Sequence, residues 1–265
     1  MAGTLRCYVG RLGTGKSYNA VVDITRALSR GRRVWSSFDV AYGEDAPARV
    51  LRAVGPGEWV EAPDPRTGEL RRRFHPERLG RFDGWQHLLE LEDGVVVLDE
   101  AHLYAPSWDP KALPASVRYF LSHLRKFGLD LTYVTQHEDR VAKTLRDLAN
   151  EVVVWQSFYL GSQWFLGKAY EPETVRRKGA HTARFVRRKK MWLARSYDTL
   201  ECSTFAGLVD PREIALVDEL ARRRNHGEPL AGTFAAVRAA LEAEASGLVV
   251  PAGRRGSAVP DVLPW

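Results

Sequence analysis

The sequence GRLGTGKS at residues 10–17 decides the fold of this chain. It matches the phosphate-binding loop pattern G-x-x-x-x-G-K-[ST], in which a strand leads into a glycine-rich loop and a helix leaves it. The flanking residues meet both requirements. An apolar run at 5–9 predicts a strand, and apolar residues at helical spacing within 17–28 predict an amphipathic helix. The segment therefore predicts a strand–loop–helix unit that holds phosphate groups at the helix N-terminus.

Each residue type in this loop has a chemical task. The glycines let the backbone fold around an anion with its N–H groups pointing inward. We expect Lys16 to reach the β- and γ-phosphates of ATP and the Ser17 hydroxyl to bind Mg²⁺. A glycine-rich turn that matches by chance is the alternative, and the predicted strand and helix argue against it. The predicted nucleotide-binding residues are Gly10, Gly13, Thr14, Gly15, Lys16, Ser17 and Tyr18.

A second segment, VVVLDE at 95–100, carries the acids that such a loop requires. An unbroken run of branched apolar residues predicts a strand buried on both faces, as in a parallel sheet. Open α/β sheets bind ligands at the carboxyl ends of their strands, so we expect these acids beside the phosphate loop, on a neighbouring strand. Asp99 would hold Mg²⁺ through water, and Glu100 would be the general base toward the attacking water. A pair of solvated acids at a helix start is the alternative.

The rest of the chain alternates predicted strands and helices, which is typical of parallel βαβ units. Further strands are predicted at 33–38, 129–134 and 151–155, and helices at 82–91, 112–127 and 139–148. Residues 58–61 and 70–74 predict a β-hairpin insertion. The fold class is therefore α/β, a P-loop NTPase with a mostly parallel sheet flanked by helices. The predicted domains are the ATPase domain at 1–205, a helical appendage at 206–245 and a flexible tail at 246–265.

Positive charge is concentrated near the end of the predicted ATPase domain, in a β-hairpin region at about 158–200. Residues 176–195 contain nine Lys and Arg and no acid, in a chain with a net charge of +6. With aromatic residues interleaved, this pattern favours contact with a nucleic acid. A solvated strand face is the alternative. The candidate nucleic-acid residues are Arg184, Arg187, Arg188, Lys189 and Lys190.

Composition restricts the other classes of function. Cys7 and Cys202 form no C-x-x-C pair, so neither a metal cluster nor a disulfide framework is indicated. No apolar run approaches the roughly 18 residues that a membrane-spanning helix needs. Nothing at the N-terminus resembles a signal peptide. We therefore expect a soluble intracellular protein without a membrane span of its own.

Three motifs in fixed order resemble the zonula occludens toxin-like (Zot) family. They are GRLGTGKS, then VVVLDEAH at 95–102, then SHLRKFGLDLTYVTQ at 122–136, and a YDT element follows at 197–199. The resemblance spans about residues 4 to 200. Members are filamentous-phage assembly and extrusion ATPases, related in fold to the RecA-like FtsK/HerA motors. The resemblance implies an ATPase that uses ATP and Mg²⁺ to translocate viral DNA.

The resemblance also implies roles for particular residues. Gln136 would sense the γ-phosphate or orient the water from the end of a strand next to that of Asp99, and a surface glutamine is the alternative. These motors work as homo-oligomeric rings, commonly hexamers, in which an arginine from one subunit completes the site of the next. Arg125 and Arg146 are the arginine-finger candidates, with Arg118 and Arg140 behind them.

One departure from the family leaves alternatives open. Members commonly continue into a membrane-spanning segment and a periplasmic part, and the sequence shows neither. Either the chain docks on a separate membrane protein, or it is a soluble viral genome-packaging ATPase of the FtsK/HerA type with a capsid-vertex partner. Its location would be the host cytoplasm, at the periphery of a membrane or virion. A P-loop nucleotide or nucleoside kinase and a non-hydrolysing nucleotide-binding scaffold are the alternatives from other classes.

Overall fold

The core of the chain is an eight-stranded β-sheet with helices packed on both faces. It is known from a computed structural model, which describes residues 3–63, 69–109, 111–176 and 179–197. These residues all belong to one compact unit, Met1–Val209. The predicted helical appendage at 206–245, the predicted tail at 246–265 and the last two residues of the YDT element lie outside the described residues.

The elements are numbered along the chain. The strands are β1 (Leu5–Val9), β2 (Arg33–Ser36), β3 (Tyr42–Gly43), β4 (Gly57–Pro63), β5 (Leu70–Pro76), β6 (Leu79–Arg81), β7 (Gly94–Leu98), β8 (Asp130–Thr135), β9 (Glu151–Tyr159), β10 (Gln163–Tyr170) and β11 (Ala183–Arg188). The α-helices are α1 (Lys16–Ser29), α2 (Ala48–Ala53), α3 (Trp85–Leu88), α4 (Ala115–Leu121), α5 (Lys143–Asp147), α6 (Pro172–Arg176) and α7 (Met191–Ala194). Short 3₁₀ turns occur at Ala101–Leu103, Leu124–Phe127 and Glu138–Arg140.

Most of the large sheet is parallel. The strands β9-β1-β8-β7-β2-β6 run parallel in that order, and β10 and β11 extend the sheet beyond β9 as antiparallel strands. This confirms the predicted α/β class. One expectation was wrong: the strand that leads to Asp99, β7, does not adjoin β1, because β8 lies between them. The carboxyl ends of these parallel strands still share one edge of the sheet, where α/β folds bind ligands.

The two faces of the sheet are buried in separate apolar clusters. Every residue of β7 is buried, as its unbroken apolar run predicted. Helix α1 packs on one face, with Val21, Ile24 and Leu28 buried, and α3, α4 and α5 pack on the other. Burying both faces fixes the relative positions of the strand ends, and therefore of the residues that follow them.

The predicted hairpin insertion forms a small second sheet. β4 and β5 pair antiparallel along their length, and β3 pairs with β5 on its other side. Trp59 of β4 packs on Phe74 of β5 with ring centroids 5.5 Å apart. The hairpin prediction is confirmed in its strands.

Two of the three later helices are much shorter than predicted. In 82–91 only α3 is helical, because the amide of Phe82 bonds to the Ser36 carbonyl and so continues the pairing of β6 with β2. In 139–148 the backbone of Val141 is extended and bridges to Pro106, which separates a 3₁₀ turn from α5. Tertiary pairing thus overrode the helical pattern in both segments.

The predicted helix at 112–127 is broken by side chains that bond to its own backbone. Ser122 donates to the carbonyl of Tyr119 at 2.7 Å, and the His123 ring lies 2.8 Å from the same oxygen. Such bonds compete with the helical ladder. Helix α4 therefore ends at Leu121, and a 3₁₀ turn carries the chain to Gly128.

Candidate functional site

The phosphate-loop segment closes into a compact turn between β1 and α1. Gly15 has φ 85°, a left-handed conformation that favours glycine, and it immediately precedes the first residue of α1. A Cβ on Gly15 would lie 2.3 Å from the ring of Phe165 on β10. Across the loop, the Thr14 hydroxyl donates to the carbonyl of Arg11 at 2.8 Å. The loop is therefore held by its own turn on one side and by β10 on the other.

Lys16 begins α1 and points back across the loop. Its ammonium group donates to the Arg11 carbonyl at 3.2 Å, and the residue is only 6% exposed. Burial lowers the pKa of Lys16, and the nearby carboxylates of Glu100 and Asp99 act in the opposite direction. A buried cation beside two acids and a ring of amide groups is the charge pattern that a bound polyphosphate requires.

Asp99 lies at the end of β7 with Ser17 beside it. The Ser17 hydroxyl lies close enough to the Asp99 carboxylate to favour its ionised form, although the two residues come from separate motifs. Behind them, the amide of Asp99 donates to the Ser37 hydroxyl at 2.8 Å. Burial raises the pKa of Asp99, while the nearby Ser17 hydroxyl lowers it. Lys16 also favours the ionised form of Asp99, but burial outweighs both neighbours.

Glu100 is held in a strained backbone conformation. Its φ is 44°, in the left-handed region that side chains other than glycine rarely adopt. The amide of Gln136, at the end of β8, donates to one Glu100 oxygen at 3.3 Å. The other oxygen lies 3.2 Å from His102 Nδ1 without hydrogen-bonding alignment. Strain of this kind clusters at functional sites.

The electrostatics of Glu100 favour its ionised form. Burial alone would raise the pKa of Glu100, but interactions with His102, Gln136 and Lys16 outweigh burial and bring the pKa below its ordinary value. Glu100 is therefore a carboxylate at neutral pH, as a general base must be. Gln136 fixes one of its oxygens and leaves the other buried without a hydrogen-bond donor.

These residues fit a nucleotide and a magnesium ion. Ser17 and Asp99 supply the hard oxygen atoms that Mg²⁺ prefers, and they already lie in contact with each other. Lys16 and the loop amides suit the phosphates. The structure thus brings together, at one edge of the sheet, the residues that the sequence assigned to the loop, the metal and the water.

Tyr18 uses its side chain elsewhere. The residue is buried, its hydroxyl accepts the Lys190 amide at 2.9 Å, and it donates to the Arg188 carbonyl at 3.3 Å. Its ring lies 4.8 Å from that of Phe165. Only the backbone amide of Tyr18 remains for phosphate binding, because the side chain joins α1 to the end of β11.

Arg187 does not fit the predicted nucleic-acid role. Its guanidinium group pairs with Asp23 of α1 at 3.0 Å and donates to both oxygens of Asn19. It also lies over the rings of Trp155 and Phe185. Arg187 therefore fixes β11 to α1. Lys189 donates to Gln163 at 3.0 Å, while Arg184, Arg188 and Lys190 remain exposed.

The two arginine-finger candidates differ in their surroundings. Arg146 is mostly buried and pairs with Asp139 of its own chain at 2.6 Å, so this ion pair competes with any role toward a neighbouring subunit. Arg125 is exposed, in the turn next to Gly3, at the amino end of β1. It lies at the opposite edge of the sheet from the phosphate loop. Arg140 is exposed in the turn that follows Gln136.

The sequence analysis missed two contacts of the site. Ser37 follows β2 and positions the amide of Asp99, and the available signal was a polar residue at the end of a predicted strand. Phe165 closes the phosphate loop from β10. Its position could not be inferred, because it depends on how a distant antiparallel strand pairs with β9.

A cleft of about 780 Å³ opens at the other edge of the sheet, away from this site. Its arginines are largely engaged within the chain: Arg6 pairs with Glu151, and Arg32 pairs with Asp130. We therefore interpret the cleft as structural.

With this geometry described, comparison with known proteins identifies the family. The model of the family Zonular occludens toxin (Zot) matches residues 5–161. The chain belongs to the Zot family. The Zot match includes both motifs of the site and ends within the turn between β9 and β10. Among curated protein sequences, none matches this chain.

Solved structures with a similar fold include a Zot domain and two other proteins. The N-terminal domain of zonular occludens toxin from Neisseria meningitidis is 16% identical, with a TM-score of 0.44, and the match covers 74% of this chain and 100% of that one. The genome packaging NTPase B204 from Sulfolobus turreted icosahedral virus 2 is 14% identical, with a TM-score of 0.41, over 69% of this chain and 96% of that one. The flagellar accessory protein FlaH from Methanocaldococcus jannaschii is 13% identical, with a TM-score of 0.42, and the match covers 71% of this chain and 87% of that one.

Within the part of the chain that the structure describes, no helix has the length and apolar character needed to cross a membrane.

Proposed function

We propose that this Zot-family chain hydrolyses ATP in the presence of Mg²⁺ and uses the energy to move viral DNA during virion assembly or extrusion. The observation that supports this most directly is the contact between Ser17 and Asp99, with Glu100 and Gln136 beside it. Two motifs that lie far apart in sequence converge on one phosphate loop. A scaffold that only binds nucleotide has no need of the strained, hydrogen-bonded Glu100.

The proposed mechanism assigns one task to each side chain. Lys16 and the loop amides bind the phosphates of ATP and neutralise their charge. Ser17 and Asp99 would hold Mg²⁺, which supplies positive charge to the β- and γ-phosphates. Glu100 accepts the proton of the attacking water. Gln136 orients Glu100 through its hydrogen bond and lies at the strand end where a γ-phosphate would be sensed.

Two steps of the viral cycle, extrusion and packaging, would use the same motor chemistry. The chain would act as a homo-oligomeric ring, with six subunits as the expected number, in the host cytoplasm at a membrane or a capsid vertex. Viral DNA would be the moving partner. Extrusion through a membrane partner and packaging into a capsid share this site, so the chemistry of the site does not distinguish them.

The decisive experiment compares Glu100→Gln with the unchanged chain. The amide keeps the shape of the carboxylate but cannot accept the proton, so we expect ATP affinity to be retained and turnover to fall at least about a hundredfold. Phosphate release and calorimetric binding of MgATP measure the two quantities. Undiminished hydrolysis would remove Glu100 from the role of general base.

Lys16→Ala is the matched control, because it should weaken ATP binding itself.

Labelled ATP also separates hydrolysis from the kinase alternative. A hydrolase releases the γ-phosphate as inorganic phosphate, whereas a kinase transfers it to an added nucleoside or nucleotide. Transfer of label to such an acceptor would overturn the proposal.

A further inference from the structure

Among the described residues, the sheet extension formed by β9, β10 and β11 is covered by α1 on one face, whereas its other face is covered only at one end, where α6 packs near Val152. Residues that pair directly across strands point to the same side of a sheet. Phe165 of β10 pairs with Arg187 of β11, and both pack toward α1. The side chains that alternate with them point to the opposite side, where the residues are exposed or partly exposed. We call that side the open face.

The register defines the open face as three cross-strand rows. They are Phe158–Trp164–Arg188, Gln156–Leu166–Val186 and Val154–Lys168–Arg184. None of these residues is acidic, and each row contains apolar surface. Val186, on the edge strand, is 56% exposed, and Phe158, near the end of β9, is 44% exposed.

Positive charge lies at two corners of the open face. Arg184 and Arg188 are four residues apart on β11, so their Cα atoms are separated by about 13 Å. Lys168 lies beside Arg184. Arg188 is oriented by a hydrogen bond from its Nε to the Ser162 hydroxyl at 3.1 Å, and it remains exposed. At this spacing the two guanidinium groups could reach separate phosphates of one strand.

Aromatic rings lie beside one of these charges. Phe158 and Trp164 are nearly parallel, with planes 13° apart and centroids separated by 6.5 Å. Phe158 is exposed and Trp164 is partly exposed. Accessible rings next to arginine favour unpaired bases, because each base stacks on a ring while its phosphate contacts a cation. A duplex offers its phosphates to arginine but keeps its bases stacked inside. The pattern of the open face thus favours an unpaired strand.

We propose that the open face binds single-stranded DNA, with bases stacked on Phe158 and Trp164 and phosphates held by Arg184 and Arg188. This rests on the proposed function, because it names the form of DNA that the motor would engage. It also places the DNA contact on the open face rather than along the whole basic stretch at 176–195. The basic stretch as a whole is not the surface, since Arg187 faces α1, and the aromatic contacts come from β9 and β10.

The test measures DNA binding by the nucleotide-free full chain, so that it is independent of hydrolysis. The probes are a fluorescein-labelled oligothymidine of about 20 nucleotides, longer than one such surface, and a duplex of the same length. Fluorescence anisotropy should show tighter binding of the single strand. Phe158→Ala combined with Trp164→Ala should weaken it at least about tenfold, since each stacked base contributes about 1–3 kcal/mol.

The basic residues should act differently from the rings. Arg184→Ala combined with Arg188→Ala should flatten the slope of log affinity against log salt by about 1.4, which is two phosphate contacts at about 0.7 each. The ring variant should leave that slope unchanged. Trp59→Ala, on the small second sheet, is the matched aromatic control and should bind like the unchanged chain. Trp164→Phe, which keeps a ring at this position, should retain most of the affinity of the unchanged chain. Circular dichroism checks that the ring variant is folded.

Three outcomes would overturn the inference: equal binding of single strand and duplex, unchanged affinity of the ring variant, or a change of the ring variant's oligomeric state with DNA affinity intact. The last would make the open face a contact between copies of this chain. The two proposals fail separately. Hydrolysis without single-strand binding contradicts only this inference, and single-strand binding at the open face without hydrolysis contradicts only the proposed ATPase.

Discussion

At the scale of single residues, the site combines charges that are unfavourable for the free protein. Asp99 is a buried carboxylate with a raised pKa, Lys16 is a buried ammonium with a lowered pKa, and Glu100 has a strained backbone. The charged forms of groups in such environments are stabilised most by a bound ligand of opposite charge. The site is therefore arranged for a ligand rather than for the stability of the chain alone.

Asp99→Asn should stabilise the nucleotide-free chain while it abolishes magnesium-dependent hydrolysis. Because the folded-state pKa of Asp99 is raised, the folded chain holds this proton more tightly than the unfolded chain does. Ionisation therefore lowers stability as the pH rises above the ordinary pKa of 3.8. At neutral pH the neutral amide should raise the unfolding free energy by about 1 kcal/mol. Urea unfolding at pH 7 and pH 4 measures this, and a less stable variant at pH 7 would contradict it.

His102→Ala should shift the acid limb of the pH–rate profile toward higher pH. His102 is one of the groups that hold the pKa of Glu100 below its ordinary value, against the effect of burial. Without the ring, the pKa of Glu100 rises, and the ionised base is lost at a higher pH during acidification. The dependence of turnover on pH measures the shift. A uniform loss of rate at every pH would indicate a structural role for His102 instead.

At the scale of elements, the β10–β11 hairpin is fixed to α1 by polar contacts as well as by rings. Arg187 pairs with Asp23, the Tyr18 hydroxyl bridges backbone groups at the end of β11, and Phe165 packs on Gly15. The hydroxyl of Tyr8 also donates to Asp23. These contacts connect the first helix of the chain to strands more than a hundred residues later.

Arg187→Ala should therefore destabilise the fold more than it weakens DNA binding. The substitution leaves the mostly buried Asp23 with the Tyr8 hydroxyl and a weaker ion pair to Arg26 at 3.6 Å, which should lower the unfolding free energy by about 2–3 kcal/mol. Arg184→Ala, on the exposed side of the same strand, is the control and should change stability by less than about 0.5 kcal/mol. Urea unfolding compares the two. Equal stability, with a loss of DNA affinity like that of Arg184→Ala, would return Arg187 to the DNA surface.

The elements that could be predicted from sequence are those whose pattern is local. The apolar run before the phosphate loop, the helix after it and the buried strand before Asp99 each carry their own signal, and the structure has them at nearly the predicted bounds. The segments at 82–91 and 139–148 carry a helical pattern too. Their conformation is set by backbone bonds to Ser36 and Pro106, which only the fold brings near.

The same distinction holds for the site. The residues of the loop and the two acids follow from the motifs, because phosphate and Mg²⁺ require those residue types. Strand order does not follow from the motifs, so β8 was not expected between β1 and β7. The side of β11 to which each basic residue points was also unpredictable, because it depends on the pairing of β10 with β9.

At the scale of the whole molecule, the described residues bring together the predicted loop, metal and water residues, and neither preferred arginine-finger candidate joins them. Arg146 is engaged with Asp139, and Arg125 lies at the amino end of β1, about 17 Å of strand away from the loop. From that edge Arg125 cannot reach the site of its own chain. In the proposed ring, we expect Arg125 of one subunit to act on the phosphate loop of the next.

Mixing two inactive variants should restore hydrolysis if this arrangement is right. Glu100→Gln keeps Arg125 but lacks the base, and Arg125→Ala keeps the base but should lose about a thousandfold in turnover without the finger. In mixed rings, some sites receive an intact base from one chain and an intact arginine from the other. Phosphate release from the mixture should exceed that of either variant alone. Arg118→Ala and Arg140→Ala are the controls, and complementation by Arg140→Ala but not by Arg125→Ala would move the finger to Arg140.

The packing of Phe165 on Gly15 has a thermodynamic consequence. A Cβ on that glycine would overlap the ring, so the nucleotide loop packs directly against β10. The residues before and after Phe165 in sequence belong to the open face. A movement of the nucleotide loop that displaces β10 would therefore also move residues of the open face. If occupancy of the loop alters the affinity for the polymer by some factor, the polymer must alter the affinity for the nucleotide by the same factor. A motor needs this reciprocity if each turnover is to change its affinity for DNA.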